Sequence, residues 1–285
     1  MARVSVLLCV FDIENKPLRG LESMLAQEFD DFEIVLVDDG STDNTHDIIE
    51  SYADKDKRVR AITAPCNLGL AGALNLAITE ARADILMRMD IDDWSPPWRM
   101  ARQFAYLTKH PEVGVVSCAF ERVRTNGEEI DVIALPLDHV DICRRLSVAS
   151  TGMCHPGAMM RKICFLKYGF YNPHFRRFQD YELWLRWRSH VVFANTPDIL
   201  LKMYSADSYE WERIRKFGYW QMYRYDFLAR YLNFPHSRSR PRDLFGWFLI
   251  QIHYFAYKPI RWLLLMLHKE IRRARWNIFF AGKNR

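Results

Sequence analysis

The sequence predicts an α/β fold, in which a mostly parallel, twisted sheet carries helices on both faces. Three observations support this prediction: short apolar runs, intervening stretches of helical periodicity, and their regular alternation over the first 120 residues. Strands that are buried on both faces of a parallel sheet are continuous apolar runs. Repeated β-α-β units place helices on both faces of such a sheet. A chain of 285 residues with 49% hydrophobic content is long enough to bury a core of this kind.

Five strands are predicted, each from a short apolar run that polar residues flank. They are Val4–Val10, Phe32–Val37, Val59–Thr63, Ile85–Met89 and Val113–Cys118. Four helices are predicted between them from helical spacing and capping residues. They are Lys16–Glu28, Asn44–Ala53, Leu70–Ala81 and Trp98–Thr108. A short helix is predicted to begin near Asp180, in the less regular stretch from Glu121 to Glu210.

The cysteines and the first residues indicate a cytoplasmic protein. The six cysteines form no C-x-x-C pair and no zinc-ribbon spacing, so reduced thiols are expected rather than a disulfide framework. The apolar run Val4–Val10 is too short for a secretory signal, and we interpret it as the first strand.

The last 75 residues differ from the rest in charge and aromatic content. Trp211–Arg285 contains 16 Lys/Arg, 4 Asp/Glu and 19 of the 40 aromatic residues, a formal charge of +12, whereas Met1–Glu210 carries −7. We therefore expect a domain over residues 1–205 and a helical extension over 206–285. Its apolar runs, Phe245–Tyr257 and Ile260–Leu267, are shorter than the ~20 residues that span a membrane.

This mixture of aromatic and basic side chains is typical of a helix that lies on an anionic membrane surface. A helical hairpin packed on the core is the alternative. The same composition would also suit nucleic acid, but an anionic membrane or a phosphorylated lipid agrees better with the acidic first part of the chain.

Two acidic clusters follow predicted strands. Asp38–Ser41 comes after the second strand and Asp90–Asp93 after the fourth. In sheets of this type, ligands bind beyond the carboxyl ends of the strands. The positions of these clusters therefore predict a binding site at that edge of the sheet.

Asp90-Ile91-Asp92-Asp93 places three carboxylates within four residues, where they repel one another unless water or a cation neutralises them. Carboxylate oxygens suit Mg²⁺ or Mn²⁺, especially when phosphate oxygens complete the octahedron. The alternative is a solvated acidic loop that caps a helix before Pro96-Pro97. The cluster Asp90–Asp93 lies directly after an apolar strand, and this position favours the metal site over the capping loop.

Several further residues have two interpretations each. Asp39 is either a hydrogen-bond acceptor for a nucleotide or part of an N-capping turn. Asn67-Leu68-Gly69 is either an anion-binding helix start or a plain loop, and it matches no dinucleotide or P-loop motif. Asp180 is either a helix cap or a general base. His155, before a proline, is either a phosphate ligand or a turn residue.

Six segments, taken in order, resemble the family 2 glycosyltransferases with the GT-A fold. The segments are Val4–Phe11, Val37–Asp43, Asn67–Asn75, Arg88–Asp93, His155-Pro156 and Gln179–Arg186. The resemblance covers about residues 3–205 and is strongest to bacterial enzymes of capsule, exopolysaccharide and lipopolysaccharide O-chain assembly. It implies an inverting, metal-dependent transfer from a nucleoside-diphosphate sugar, UDP first, to a hydroxyl of a lipid-linked or polysaccharide acceptor.

The resemblance also implies a nucleotide-sugar pocket. Asp39 would contact the base, and the backbone near Cys9 and Phe11 would line the same pocket. Asn67 and Gly69 belong to the matching loop and are expected to bind the donor as well.

The remaining implied roles concern the metal and the reaction. Asp90 and Asp92 match the family's D-x-D motif and would hold Mg²⁺ or Mn²⁺ and the donor, with Asp93 in support. Asp180 matches the family's catalytic base, although Gln179 stands where a glutamate often precedes it. No Q-x-x-R-W motif follows, which argues against a processive polymerase.

Two other classes of protein agree less well with the sequence. A sugar-phosphate nucleotidylyltransferase would carry a G-x-G-x-R-L loop after the first strand, where this chain has Phe11-Asp12-Ile13-Glu14-Asn15. A non-catalytic binding protein of the same fold would not need the full set of aspartates.

Overall fold

The computed structural model describes residues 2–148 and 152–205 of the chain. The strands in this part are β1 Val4–Val10, β2 Phe32–Asp38, β3 Val59–Thr63, β4 Ile85–Met89, β5 Val113–Arg124, β6 Glu129–Ile133, β7 Met159–Arg161 and β8 Val192–Ser205. The helices are α1 Arg19–Leu25, α2 Thr45–Lys55, α3 Gly69–Glu80, α4 Arg99–Lys109, α5 His139–Val148, α6 Lys162–Tyr168 and α7 Gln179–Trp187.

The strands form one mixed sheet in the order β3-β2-β1-β4-β7-β5-β6, and β8 also pairs with β5. The predicted α/β fold is confirmed, and β1 to β4 run parallel to one another as expected. The difference is β7, which runs antiparallel between β4 and β5. With three residues, Met159–Arg161 is too short to show a strand periodicity in the sequence.

Two predicted elements differ in length. Strand β5 continues past Cys118 to Arg124, because its second half pairs with both β6 and β8 and alternates between buried and half-buried residues. Helix α1 is shorter than predicted and ends at Leu25. The chain just after it anchors another loop, since the Gln27 side chain donates to the Pro96 carbonyl at 2.8 Å and accepts from the Met100 N–H at 2.9 Å.

Two hydrophobic clusters lie on opposite faces of the sheet, as the alternating side-chain directions of β1 require. Leu7 belongs to the cluster that contains α3 and α7, whereas Val6 and Leu8 belong to the cluster that contains α1 and α4. Trp184 of α7 is fully buried in the first cluster. This burial holds α7 against the sheet and so fixes where the helix begins.

Within the described residues, no helix is both long and apolar enough to cross a membrane. The predictions for the extension over 206–285, including Phe245–Tyr257 and Ile260–Leu267, lie outside the described residues.

Candidate active site

The carboxyl ends of three neighbouring strands form one edge of the candidate site. Val10 of β1 is in register with Asp38 of β2, and the Asp39 N–H donates to the Val10 carbonyl at 2.9 Å. On the other side of β1, β4 ends at Met89 in register with Leu8. The two acidic clusters that follow β2 and β4 therefore lie on either side of the end of β1.

Asp39 is buried and holds the loop before α3. Its Oδ1 accepts the Leu68 N–H at 2.8 Å, and the Gly69 N–H is a further donor to this carboxylate. Burial raises the pKa of Asp39, and these two N–H groups oppose the shift. The turn after β2 is held by Asp38, whose Oδ1 accepts the Ser41 N–H at 2.9 Å. Asp39 is therefore not needed as the capping residue of that turn.

Gly69 begins α3 in a conformation that other residues rarely adopt, with a φ of +73°. The Nη1 atom of Arg176 would lie 2.8 Å from a Cβ placed at this position. The same atom donates to Asn67 Oδ1 at 3.1 Å. The backbone conformation thus favours glycine here, and an added Cβ would also push the exposed Arg176 guanidinium away from Asn67. Arg176 brings the chain segment before α7 to this loop.

Replacing Gly69 with alanine is expected to lower both stability and donor affinity, because it adds a strained φ, which costs about 1–2 kcal/mol, and displaces Arg176. Thermal unfolding and titration with UDP measure the two effects. Gly127 offers a matched control, since its φ is +92° but no atom lies within 4 Å of an added Cβ. Equal losses in the Gly127→Ala and Gly69→Ala proteins would contradict a role for the Arg176 contact.

Cys9 and Phe11 stand at the end of β1, as predicted. Cys9 is half-buried, and loss of solvent raises the pKa of its thiol to about 12, so the thiol is neutral. Phe11 is 40% exposed, and its carbonyl accepts the Lys16 Nζ at 2.8 Å. The next residue, Asp12, has a φ of +47° and is bonded to the β2 turn through Ser41 Oγ at 2.9 Å. This hydrogen bond therefore joins the turn after β1 to the turn after β2.

The three aspartates after β4 have different surroundings. Asp90 is 36% exposed and pairs through Oδ1 with Nη2 of the buried Arg88. Asp92 is exposed. Asp93 is buried, and its Oδ1 accepts the Tyr204 N–H at 3.1 Å. Asp90 and Asp92 therefore face the solvent side of the loop, while Asp93 joins the loop to β8.

The carboxylates repel one another, as their spacing predicts. Partial loss of solvent and then the charge of Asp90 raise the pKa of Asp92. Burial, followed by the charges of Asp90 and Asp92, raises the pKa of Asp93 well above its usual range. No three His, Cys, Asp or Glu side chains in residues 2–148 and 152–205 form a ready-made metal site. Two exposed carboxylates fit a cation that takes its other ligands from water and a bound diphosphate.

Asp180 is the second residue of α7 and is half-buried. The helix starts after Phe178, whose φ of +55° is unusual for a bulky residue and turns the chain sharply into the helix. Burial raises the pKa of the Tyr171 hydroxyl, Arg88 opposes the shift, and the charges of Asp180, Cys9 and Asp90 add to it. Asp180 of α7 and Asp90 after β4 thus both act on Tyr171 through their charges.

His155 is a turn residue, one of the two interpretations that the sequence allowed. The Ala158 N–H donates to the His155 carbonyl at 3.1 Å. Its side chain is buried, with Nε2 2.8 Å from the Tyr171 hydroxyl. Burial, reinforced by the charge of Arg88, lowers the pKa of His155 well below its usual range, so the ring is neutral.

Sequence reasoning missed three residues of this site: Arg88, Tyr171 and Asn75. Asn75 holds the Tyr171 backbone on both sides, donating to its carbonyl at 2.8 Å and accepting from its N–H at 3.0 Å. A signal was present for two of them. Arg88 interrupts an apolar strand and Asn75 interrupts an apolar helix, and a polar residue in such a place needs a buried partner.

Comparisons with known proteins agree with this geometry. Residues 5–169 match the family model for glycosyl transferase family 2. The putative glycosyltransferase EpsE of Bacillus subtilis is 32% identical over 190 residues, which cover 65% of this chain and 66% of EpsE. The amylovoran biosynthesis glycosyltransferase AmsE of Erwinia amylovora is 33% identical over 205 residues, which cover 70% of this chain and 75% of AmsE.

Solved structures support the fold. S. aureus TarS 1-349 in complex with UDP-GlcNAc has a TM-score of 0.60 at 20% identity, covering 73% of this chain and 59% of TarS. The mannosyltransferase PcManGT from Pyrobaculum calidifontis in complex with GDP-Man and Mn²⁺ has a TM-score of 0.61 at 18% identity, covering 90% of this chain and 71% of PcManGT. The family match spans more than half of the chain and includes both acidic clusters. The chain therefore belongs to the family 2 glycosyltransferases and has their GT-A fold.

Proposed function

We propose that this glycosyltransferase moves a sugar from a nucleoside-diphosphate sugar to an acceptor hydroxyl, with inversion at the sugar carbon. One observation carries the proposal. The ends of β1, β2 and β4 present Phe11, Asp39 and Asp90 along one edge of the sheet. Asp180 is the second residue of α7, and its charge, like that of Asp90, acts on the buried Tyr171. Nucleotide recognition, charge neutralisation and proton removal each have a residue in this arrangement.

The donor pocket consists of Asp39 with Cys9, Phe11, Asn67 and Gly69. The Asp39 carboxylate, which the Leu68 and Gly69 N–H groups hold at the start of α3, accepts a hydrogen bond from the base. TarS was solved with UDP-GlcNAc, which supports UDP as the first nucleotide to test. PcManGT was solved with GDP-Man, which makes GDP the second.

Asp90 and Asp92, supported by Asp93, are the residues that hold Mg²⁺ or Mn²⁺. The Mn²⁺ in the PcManGT complex supports this choice. When bound, such an ion neutralises the negative charge that develops on the departing nucleoside diphosphate. Asp93 supports the other two carboxylates indirectly. It accepts a hydrogen bond from the Tyr204 N–H, which fixes the loop that carries Asp90 and Asp92.

Asp180 removes the proton from the acceptor hydroxyl. As the acceptor oxygen forms its bond to the sugar carbon, the bond to the diphosphate breaks and its electron pair leaves with the nucleotide. A single carboxylate is a weak base toward an alcohol, so the proton moves late and in concert with bond formation. Attack on the face opposite the leaving group inverts the configuration of the carbon.

The acceptor in this proposal is a lipid-linked or polysaccharide glycan of the cell surface, made on the cytoplasmic face of the membrane. The relationship to AmsE, which is named for amylovoran biosynthesis, supports a polysaccharide product. Residues 1–205 form the catalytic domain, and the basic, aromatic residues 206–285 contact the anionic membrane surface. Flotation with anionic liposomes, compared with a gel shift on DNA, tests this contact against nucleic-acid binding.

A thermal-shift screen of UDP-, GDP- and dTDP-sugars, each with Mn²⁺ and with EDTA, tests the donor. We expect one nucleotide to raise the melting temperature in Mn²⁺ and to raise it much less in EDTA. The released product then separates the reaction classes: sugar transfer or donor hydrolysis releases a nucleoside diphosphate, whereas a nucleotidylyltransferase would form or consume pyrophosphate. A protein that no nucleotide sugar stabilises under either condition would contradict the proposal.

A further inference from the structure

Arg88 is a fully buried arginine in β4, a strand in the interior of the sheet. Removing a guanidinium from water is costly unless a charge and hydrogen bonds compensate it. The other buried residues of β4 are apolar, namely Leu86, Met87 and Met89. Core packing alone therefore does not explain why an arginine occupies this buried position below the candidate site.

Two of the three guanidinium nitrogens of Arg88 have a hydrogen-bond partner in the described part of the chain, and the third does not. Nη2 pairs with Asp90 Oδ1, Nη1 donates to the Met89 carbonyl, and the buried Nε has no hydrogen-bond partner among residues 2–148 and 152–205. Cys9 and Tyr171 also lie in its electrostatic surroundings, but burial keeps both of them neutral. The carboxylate in contact with Arg88 is therefore that of Asp90.

Asp90 is also an aspartate of the proposed cation site. A carboxylate that already shares its charge with a guanidinium is a weaker ligand for a cation, and the guanidinium itself repels a divalent ion. Low dielectric around the buried side chain strengthens this repulsion. A nucleoside diphosphate brings several negative charges to the same place and so compensates both the arginine and the ion.

We propose that Arg88 makes cation binding depend on the nucleotide, so that Mg²⁺ or Mn²⁺ binds weakly to the free enzyme and tightly together with the diphosphate. This inference rests on the proposed function. Arg88 is a positioning residue that acts through Asp90. The coupling is reciprocal, since the cation must raise the affinity for the nucleotide by the same factor. Cation and nucleoside diphosphate would then also leave together after transfer.

A second buried arginine shows what a purely structural role looks like. Arg99 is fully buried, donates to the carbonyls of Arg88 at 3.0 Å and Pro156 at 2.9 Å, and bonds to Gln103 Oε1 at 3.0 Å. All these partners are uncharged. Arg99 therefore ties loops together. It provides the comparison for a buried arginine on which the charge of Asp93 acts but not that of Asp90 or Asp92.

Calorimetric titration of the full chain with Mn²⁺, in the absence and presence of saturating UDP or GDP, measures the coupling. In the wild-type protein we expect the nucleotide to increase Mn²⁺ affinity about 10- to 100-fold. In Arg88→Met, Mn²⁺ alone should bind about tenfold more tightly, and the gain in Mn²⁺ affinity that the nucleotide gives should fall about tenfold below the wild-type gain, since the diphosphate still supplies ligands to the ion. Arg88→Lys keeps the charge and should keep most of the coupling.

Controls separate this role from folding. Arg99→Met is expected to lower the melting temperature while leaving the coupling at its wild-type value. If Arg88→Met does not fold, Arg88→Gln, which keeps an N–H for the Met89 carbonyl, replaces it. Mn²⁺ binding followed by electron paramagnetic resonance gives a second readout that does not depend on catalysis.

The outcomes distinguish the two proposals. Wild-type coupling in a folded Arg88→Met or Arg88→Gln protein, or tight Mn²⁺ binding to the wild-type protein without nucleotide, would overturn the role of Arg88. Absence of nucleotide binding in the wild-type protein, with or without Mn²⁺, would instead contradict the proposed function itself.

Discussion

Asp180→Asn is expected to reduce the rate of sugar transfer about 10²–10⁴-fold, the contribution of a general base in enzymes. Asparagine has nearly the same shape but cannot accept the acceptor's proton. Donor binding should be unchanged, because the proposed nucleotide contacts lie at the ends of β1 and β2 and not on α7. Initial rates of nucleoside diphosphate release, together with donor affinity from calorimetry, measure the two quantities.

The control for this prediction is Asp198→Asn, which removes an exposed carboxylate that pairs with Arg102 at 2.9 Å. It changes the charge by the same amount and should leave the rate unaltered. The neighbouring Gln179 is buried and carries no charge, so Gln179→Ala is expected to affect stability more than the proton transfer. Retained turnover in Asp180→Asn would remove Asp180 from the role of base.

Asp92→Asn is expected to lower donor affinity in the presence of Mn²⁺ by about 10- to 100-fold, since contacts of charged groups contribute about 1.5–3 kcal/mol each. Asp92 is the exposed carboxylate of the loop, so its replacement would remove the proposed cation ligand without leaving an unpaired buried group. Donor affinity in EDTA should not change. Calorimetry of the nucleotide in both buffers provides the measurement.

Asp131→Asn is the matched control for Asp92→Asn, because Asp131 is an exposed carboxylate on β6 that pairs with Arg122. It should retain the Mn²⁺-dependent gain in affinity. The same gain in the Asp92→Asn protein as in wild type would exclude Asp92 as a cation ligand. Asp93→Ala should behave differently, with a lower melting temperature, because it removes the buried acceptor of the Tyr204 N–H.

The first half of the fold is encoded locally and could be predicted from the sequence. Each of β1 to β4 is an apolar run, and Val4–Val10, Val59–Thr63 and Ile85–Met89 have the same bounds in the prediction and in the structure. Strand direction follows from β-α-β succession, so the strand-end positions of Asp39 and Asp90 also follow from the sequence. These features depend on neighbours within about 30 residues of chain.

Contacts between distant segments were decided only by the tertiary structure. β7 inserts between β4 and β5, Asn75 holds Tyr171 across 96 residues of chain, and Asp93 bonds to Tyr204 across 111. No local periodicity reports such contacts, since they depend on which faces of separate elements meet. Arg88 shows the limit within a short segment. Its position two residues before Asp90 is visible in the sequence, but only the burial of β4 in the sheet makes that pair a buried charge that has to be compensated.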